Sequence, residues 1–129
     1  MAHVNSFKDL EVYMLSRQLC KEIFVISKSF PKEERYSLTD QVRRSSRSVG
    51  AQIAEAWAKR RYENHFISKL TDSDGEQQET QHWIEIAFDS DYISQEQCWY
   101  FIEKYSEVGK MLQSMINKSG LFCNPSRKS

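Results

Sequence analysis

Turn-forming residues are scarce in this chain, with four glycines and two prolines among 129 residues. So few over a single domain's length exclude a fold of many short strands and hairpins; long helices joined by few loops remain. Long apolar runs are missing too. None approaches the roughly 18 residues that a membrane span needs, and no basic-then-apolar leader opens the chain. Cysteine offers neither a disulfide framework nor a metal pattern. Cys20, Cys98 and Cys123 are odd in number and widely spaced, which reads as reduced thiols in a cytoplasmic protein.

Net charge is also absent, since 18 basic residues balance 18 acidic ones. The balance is global, not local. Arg35 to Arg61 holds seven basic and two acidic residues, and Glu63 to Glu107 holds eleven acidic and two basic. Segregation on this scale points either to solvated faces of opposite sign, to self-assembly by charge matching, or to a nucleic-acid surface on the basic half.

Apolar spacing divides the chain into four helical stretches. Val12, Leu15, Leu19, Ile23, Ile26 and Phe30 fall at intervals of three and four, and Pro31 closes that stripe. Leu38, Val42, Val49, Ile53 and Trp57 mark a second helix, opened by a weak Ser37-x-x-Asp40 cap. Beside its apolar stripe runs a polar one, Gln41, Ser45, Ser48, Gln52 and Glu55 with Arg44 at its border, so this helix is buried on more than one side. Gly50, mid-helix, suits close approach of a neighbour. The third stretch is ambiguous: "TDSDGEQQETQ" has no large apolar residue and reads as a loop or as a helix with a polar middle. In the helical case Ser73, Gln77 and Thr80 continue the stripe from Phe66 and Leu70 to Ile84. The fourth helix opens with a Ser94/Gln97 capping box and places Gly120 at a left-handed C-cap. The expectation is one all-α domain over 1–129, an antiparallel up-down four-helix bundle with helices near 7–30, 37–61, 63–90 and 95–119 and a frayed tail at 121–129.

Catalytic signatures are few. A di-iron bundle needs two Glu-x-x-His pairs, and Glu79 with His82 supplies one. Ser45, Ser46 and Ser48 have neither a partner histidine within helical reach nor nucleophile-elbow glycines. No phosphate loop or dinucleotide turn is present. Asp72, Glu76 and Glu79 share a helix face that can hold Mg²⁺ as a nuclease does, although a solvated or intersubunit acidic face is the simpler reading. No metal, cofactor or enzymatic activity is expected. The basic helix is what stands out. Arg43 and Arg47 are four apart on one face, and Lys59, Arg60 and Arg61 cluster at the helix end, where they suit phosphate or simply the helix macrodipole.

"LTDQVRRSSRSVGAQIAEAWAKRRYENHFISKL" closely resembles the second-helix region of the bacterial four helix bundle protein family, encoded in intervening sequences of large-subunit ribosomal RNA genes. That family is related to the accessory variability determinants of diversity-generating retroelements. Its hallmark is Gln-x-x-Arg, then Ser-Ile or Ser-Val, then Asn-Ile-Ala-Glu-Gly. Gln41, Arg44, Ser48, Val49, Ile53, Ala54 and Glu55 match it; Gln52 replaces the asparagine and Ala56 the glycine, and Ala56-Trp57 fits a branch with Ala-Trp and a basic run. "FKDLEVY", "FPKEERYSL" and "ETQHWIEIAFDSDYI" extend the likeness over nearly the whole chain. The resemblance implies an up-and-down bundle with one long third helix, assembled as a ring-like homopentamer with a basic surface. For retroelement members it also implies nucleic-acid binding beside a reverse transcriptase.

The reading is therefore a non-enzymatic, oligomeric, cytoplasmic module binding RNA or DNA through Arg43, Arg47, Lys59, Arg60 and Arg61. Gln41, Arg44, Ser48, Gln52, Glu55, Glu76 and Glu79 form a structural or interface polar stripe. Within it Arg44 and Glu55 are expected to be buried, with Glu76 or Glu79 as partners for Arg44. The alternative is a protein-interaction scaffold whose basic helix is consumed by acidic neighbours, and a metal-dependent nuclease comes third.

Overall fold

The computed structural model describes residues 4–123. Four helices, α1 (Glu11–Ser27), α2 (Leu38–Ala58), α3 (Glu63–Asp89) and α4 (Gln95–Asn117), are joined by short links, with single 3₁₀ turns at Phe7–Asp9, Lys32–Glu34 and Ser119–Leu121. No strand occurs among the described residues.

Each helix packs on its sequence neighbour, and α1 closes against α4. Cross-helix pairs run in opposite senses. Arg43 meets Ser27 while Gly50 faces Ser16; Ser73 reaches Val49 while Thr80 reaches Ser45. Such pairing is that of an up-down bundle. Leu19 and Ile23 of α1, Val49 and Ile53 of α2, Phe66 and Ile84 of α3, and Tyr105 and Leu112 of α4 fill its interior.

The polar stretch of α3 is one unbroken helix. Its buried positions, Phe66, Leu70, Ser73, Gln77, Thr80, Ile84 and Ala87, keep the three-four rhythm throughout. Burying a polar group costs stability unless it is paired, and the buried polar side chains of α3 are. Ser73 Oγ donates to the Val49 carbonyl at 2.8 Å, and Thr80 Oγ1 shares a 2.8 Å hydrogen bond with Ser45 Oγ. Gln77 donates to Asp74 and accepts from Gln81. These small and paired side chains let α2 and α3 form the most extensive helix contact in the bundle.

Several helix ends differ from the sequence expectation. The first helix begins at Glu11, not 7, because Ser6 and Asp9 cap a separate 3₁₀ turn and Leu10 is extended. It ends at Ser27, four residues before Pro31, where the Ser27 and Ser29 hydroxyls bond back to the Phe24 and Ile26 carbonyls and compete with the helix ladder. Ser37 does not cap α2. Its hydroxyl donates to Glu34 at 2.6 Å, and the Glu34 carboxylate accepts the Leu38 amide instead. Helix α2 ends at Ala58, so Lys59, Arg60 and Arg61 lie in the following turn.

The Ser94/Gln97 box forms as expected, with bonds of 2.8 and 3.1 Å. Gly120 is not left-handed: α4 stops at Asn117 and the chain continues into the 3₁₀ turn Ser119–Leu121. No glycine among the described residues has positive φ, and Asp91, at φ 63°, takes that role between α3 and α4. Gly50 does mark close approach, since a Cβ there meets Ser16 Oγ and Tyr13 Cε1 at 3.4 Å. The tail expected at 121–129 is structured as far as Cys123, whose side chain is buried; residues 124–129 lie outside the described residues.

Candidate nucleic-acid interface

The basic residues of α2 do not stand alone. On α1, Arg17, Lys21, Phe24 and Lys28 follow one another at three- and four-residue spacing, which places them on one face. That face lies beside Arg43 and Arg47 of α2. Phe24, 38% exposed, is the hub: Lys28 Nζ is 4.9 Å from its ring centroid, and the Arg43 and Arg47 guanidinium carbons are 4.6 and 5.7 Å away. Arg43 is half-buried and fixed at one edge, its Nε donating to Ser27 Oγ at 2.7 Å. Arg17 Nη1 donates to Tyr13 Oη at 2.9 Å. A guanidinium lying against a ring and tied through one nitrogen still presents its other N–H donors outward, in a fork that matches phosphate.

Among the described residues, none of Arg17, Lys21, Lys28, Arg43 and Arg47 is ion-paired. The ion pairs among the described residues join Lys69 to Glu55 and Asp72, and Lys104 to Glu107. The face therefore carries five cations outside any ion pair, three of them, Lys28, Arg43 and Arg47, around the Phe24 ring. The α1 contribution escaped the reading of the sequence, although its signal was present: the 17-21-24-28 spacing is as regular as any apolar stripe.

Lys59, Arg60 and Arg61 form a separate patch. Lys59 sits about 24 Å along the helix axis from Arg43, at 1.5 Å per residue. Arg60 stacks on Trp57 at 3.7 Å and donates from Nε to the Trp57 carbonyl, and Arg61 lies 6.0 Å from the Tyr62 ring. Trp57 is half-buried against the core. The five residues grouped from sequence thus divide into two sites at opposite ends of α2.

The polar stripe divides as well. Ser45 is buried and bonded to α3, Gln52 accepts from Lys69 at 3.4 Å, and Gln41 and Ser48 are half-buried. Arg44 and Glu55, expected to be buried, are exposed on the chain. Their position on α2 points them outward from the bundle, between the faces that meet α1 and α3. Arg44 lines an open groove with Gln41, Ser48, Glu76 and Glu79 but forms no ion pair with either glutamate. Glu55 pairs with Lys69 at 3.6 Å.

The remaining candidate chemistry does not assemble. Glu79 accepts from Trp83 Nε1 at 3.0 Å, while His82 is exposed and packs edgewise on Trp83. Asp72 faces Lys69, and Ser46 donates to the Arg43 carbonyl. Among the described residues no three His, Cys, Asp or Glu side chains gather as a metal site. Cys98 and Cys123 are buried and Cys20 is half-buried; burial raises the Cys98 pKa, and Glu85 and Asp89 raise it further. No helix among the described residues is long and apolar enough to cross a membrane.

Known proteins give this architecture a context. A protein of unknown function from the S23 ribosomal protein family of Bacteroides thetaiotaomicron VPI-5482 has a crystal structure that superposes with a TM-score of 0.75. The two are 30% identical, over 82% of this chain and 95% of that one. No curated protein matches the chain. The 23S rRNA-intervening sequence protein family matches residues 8–114, which take in the α1–α2 face, the long polar α3 and most of α4. The chain belongs to the 23S rRNA-intervening sequence protein family.

Proposed function

We propose that the protein is a non-enzymatic, cytoplasmic nucleic-acid-binding module, and that the strand lies along the α1–α2 face. The observation carrying this reading is the run of five cations along the α1–α2 face, Lys28, Arg43 and Arg47 around Phe24 and Arg17 and Lys21 along the adjoining groove, none in an ion pair among the described residues. Acidic residues concentrate on α3, which holds seven of them and one lysine; Glu76 and Glu79 among them line the groove on the far side of Arg47. Phosphate contacts of this kind read backbone and not sequence, so affinity falls steeply with salt.

A homo-oligomer, the ring-like pentamer implied by the family resemblance, belongs to the same proposal. Two features support self-association: the division of charge between the α1–α2 face and α3, and the outward groove where Arg44 stands near Glu76 and Glu79 without an ion pair to either. Repetition of a small basic face around a ring adds avidity that one copy lacks. A reverse-transcriptase partner is the further expectation from the retroelement relatives.

The division of charge also favours a second reading. The basic face of one copy can dock on the acidic face of another or of an acidic protein, which makes the molecule a scaffold. The test is a titration of structured RNA and duplex DNA against wild type and Arg43→Glu/Arg47→Glu, with assembly mass checked by light scattering. Nucleic-acid binding predicts that wild type binds at low salt and that the assembled variant binds far more weakly. No binding by either form at low salt favours the scaffold.

A further inference from the structure

We infer that the groove between α1 and α2 takes up an unpaired nucleobase, so that the module prefers single-stranded or bulged nucleic acid to a regular duplex. This inference rests on the nucleic-acid reading above and specifies which form of strand the face accepts.

The groove measures about 400 Å³ and runs beside the cation track. Its floor is α2, which presents only small residues toward α1 along the 46-50-54 line: Ser46, Gly50 and Ala54. Gly50 keeps the helices close, and Ala54 leaves the groove open above them. One end is closed by aromatic rings, with Phe7 and Tyr13 packed edge to face at 4.9 Å. The walls are cationic, formed by Arg17 and Lys21 from α1 and Arg47 from α2. No carboxylate lines it, whereas the α1–α4 groove contains Glu22 and Glu96 and the α2–α3 groove Glu76 and Glu79.

A nucleobase suits this combination. Its faces are apolar and aromatic, matching Phe7, Tyr13 and the small α2 floor, and the phosphates on either side of it are anionic, matching the walls. Arg17 is held at Tyr13 by its hydrogen bond, so cation and ring are positioned together where a base and its phosphate arrive together. Lys21 and Lys28 continue the track along α1 at intervals of one to two turns, about 5.4 Å per turn, which an extended strand can follow. A duplex cannot use the groove, because its bases are stacked inside and only phosphates reach the surface. A cationic groove flanked by aromatic rings is the general design of single-strand binding.

The experiment measures fluorescence anisotropy of a labelled 12-nucleotide strand of mixed sequence and of its duplex, as RNA and as DNA, at low salt. The full chain is compared with Ala54→Leu, which fills the groove and leaves every cation in place. Ala51→Leu at the exposed rim is a second groove-filling variant that cannot disturb the core. Wild type is expected to bind the single strand about tenfold or more tighter than the duplex, the scale of one stacked base. Both variants should lose that preference while keeping duplex affinity. Equal affinity of wild type for strand and duplex overturns the inference and leaves the phosphate face standing, as does a preference that survives a correctly folded groove-filling variant. Failure of wild type to bind either form overturns both.

Discussion

Gly75 and Gly109 both lie inside helices, yet their surroundings differ. A Cβ at Gly75 meets nothing within 4 Å, whereas one at Gly109 comes within 2.8 Å of Gln77 Nε2 and 3.3 Å of Asp74 Oδ1. Gly75→Ala should therefore stabilise the protein by about 0.8–1 kcal/mol, the helix-propensity gain alone. Gly109→Ala gains the same propensity but displaces the bonded Gln77 amide, a loss of about 1 kcal/mol or more, and should be neutral or destabilising. Chemical denaturation of the two variants checks the contrast; equal stabilisation by both would mean that α3 and α4 are not in close contact there. Tyr105 allows a third comparison. Its hydroxyl is buried without a hydrogen-bond partner among the described residues, and that burial drives its pKa far above the tyrosine range. Tyr105→Phe removes the orphaned group and should raise stability by about 1 kcal/mol. A loss of similar size would show that the hydroxyl is satisfied after all.

At the scale of elements, the links at one end of the bundle are tied together. Glu34, in the link between α1 and α2, accepts from Tyr92 in the link between α3 and α4 at 2.8 Å, and Phe30 packs against the Tyr92 ring. Bonds from Ser37 and Tyr92 hold the Glu34 pKa below its ordinary value of 4.5 and raise that of Tyr92. A depressed carboxylate pKa contributes stability above the unfolded value, and that contribution is lost as pH falls through the folded one. Wild type should thus be more stable than Glu34→Gln at neutral pH, and the two should converge as pH falls below the Glu34 pKa. Parallel unfolding curves across that range would remove the tie. Much of the bundle was legible in the sequence because helices α1 and α4 bury large apolar residues at regular spacing. The middle of helix α3 was legible from the family resemblance but not from apolar spacing, since Ser73, Gln77 and Thr80 occupy its core positions and their burial depends on hydrogen bonds to α2 and within α3. Helix ends were the least legible: the Glu34 cap and the Ser6–Asp9 turn are set by side-chain bonds that apolar spacing does not register.

Across the whole molecule, charge is divided between faces, and this is where the candidate site was half legible. Arg43 and Arg47 announced themselves by spacing, but their union with Arg17, Lys21 and Lys28 exists only once α1 and α2 are antiparallel. The same packing separates Lys59, Arg60 and Arg61 from them and turns Arg44 outward. Because Arg44 is exposed on the chain, Arg44→Ala should change the stability of a dilute single chain by no more than about 0.5 kcal/mol. In the proposed oligomer it should lower the assembled mass seen by light scattering; an intact assembly would place Arg44 outside any contact between copies. The central claim, that the α1–α2 face carries the strand, is tested most directly by the salt dependence of binding. Wild type should lose affinity linearly in log salt, with a slope of about 0.7–0.9 per phosphate neutralised. Lys21→Glu/Lys28→Glu should weaken binding and flatten that slope, while Lys59→Glu/Arg61→Glu leaves it close to wild type. A slope unmoved by the α1 pair and flattened by the turn pair would contradict the account.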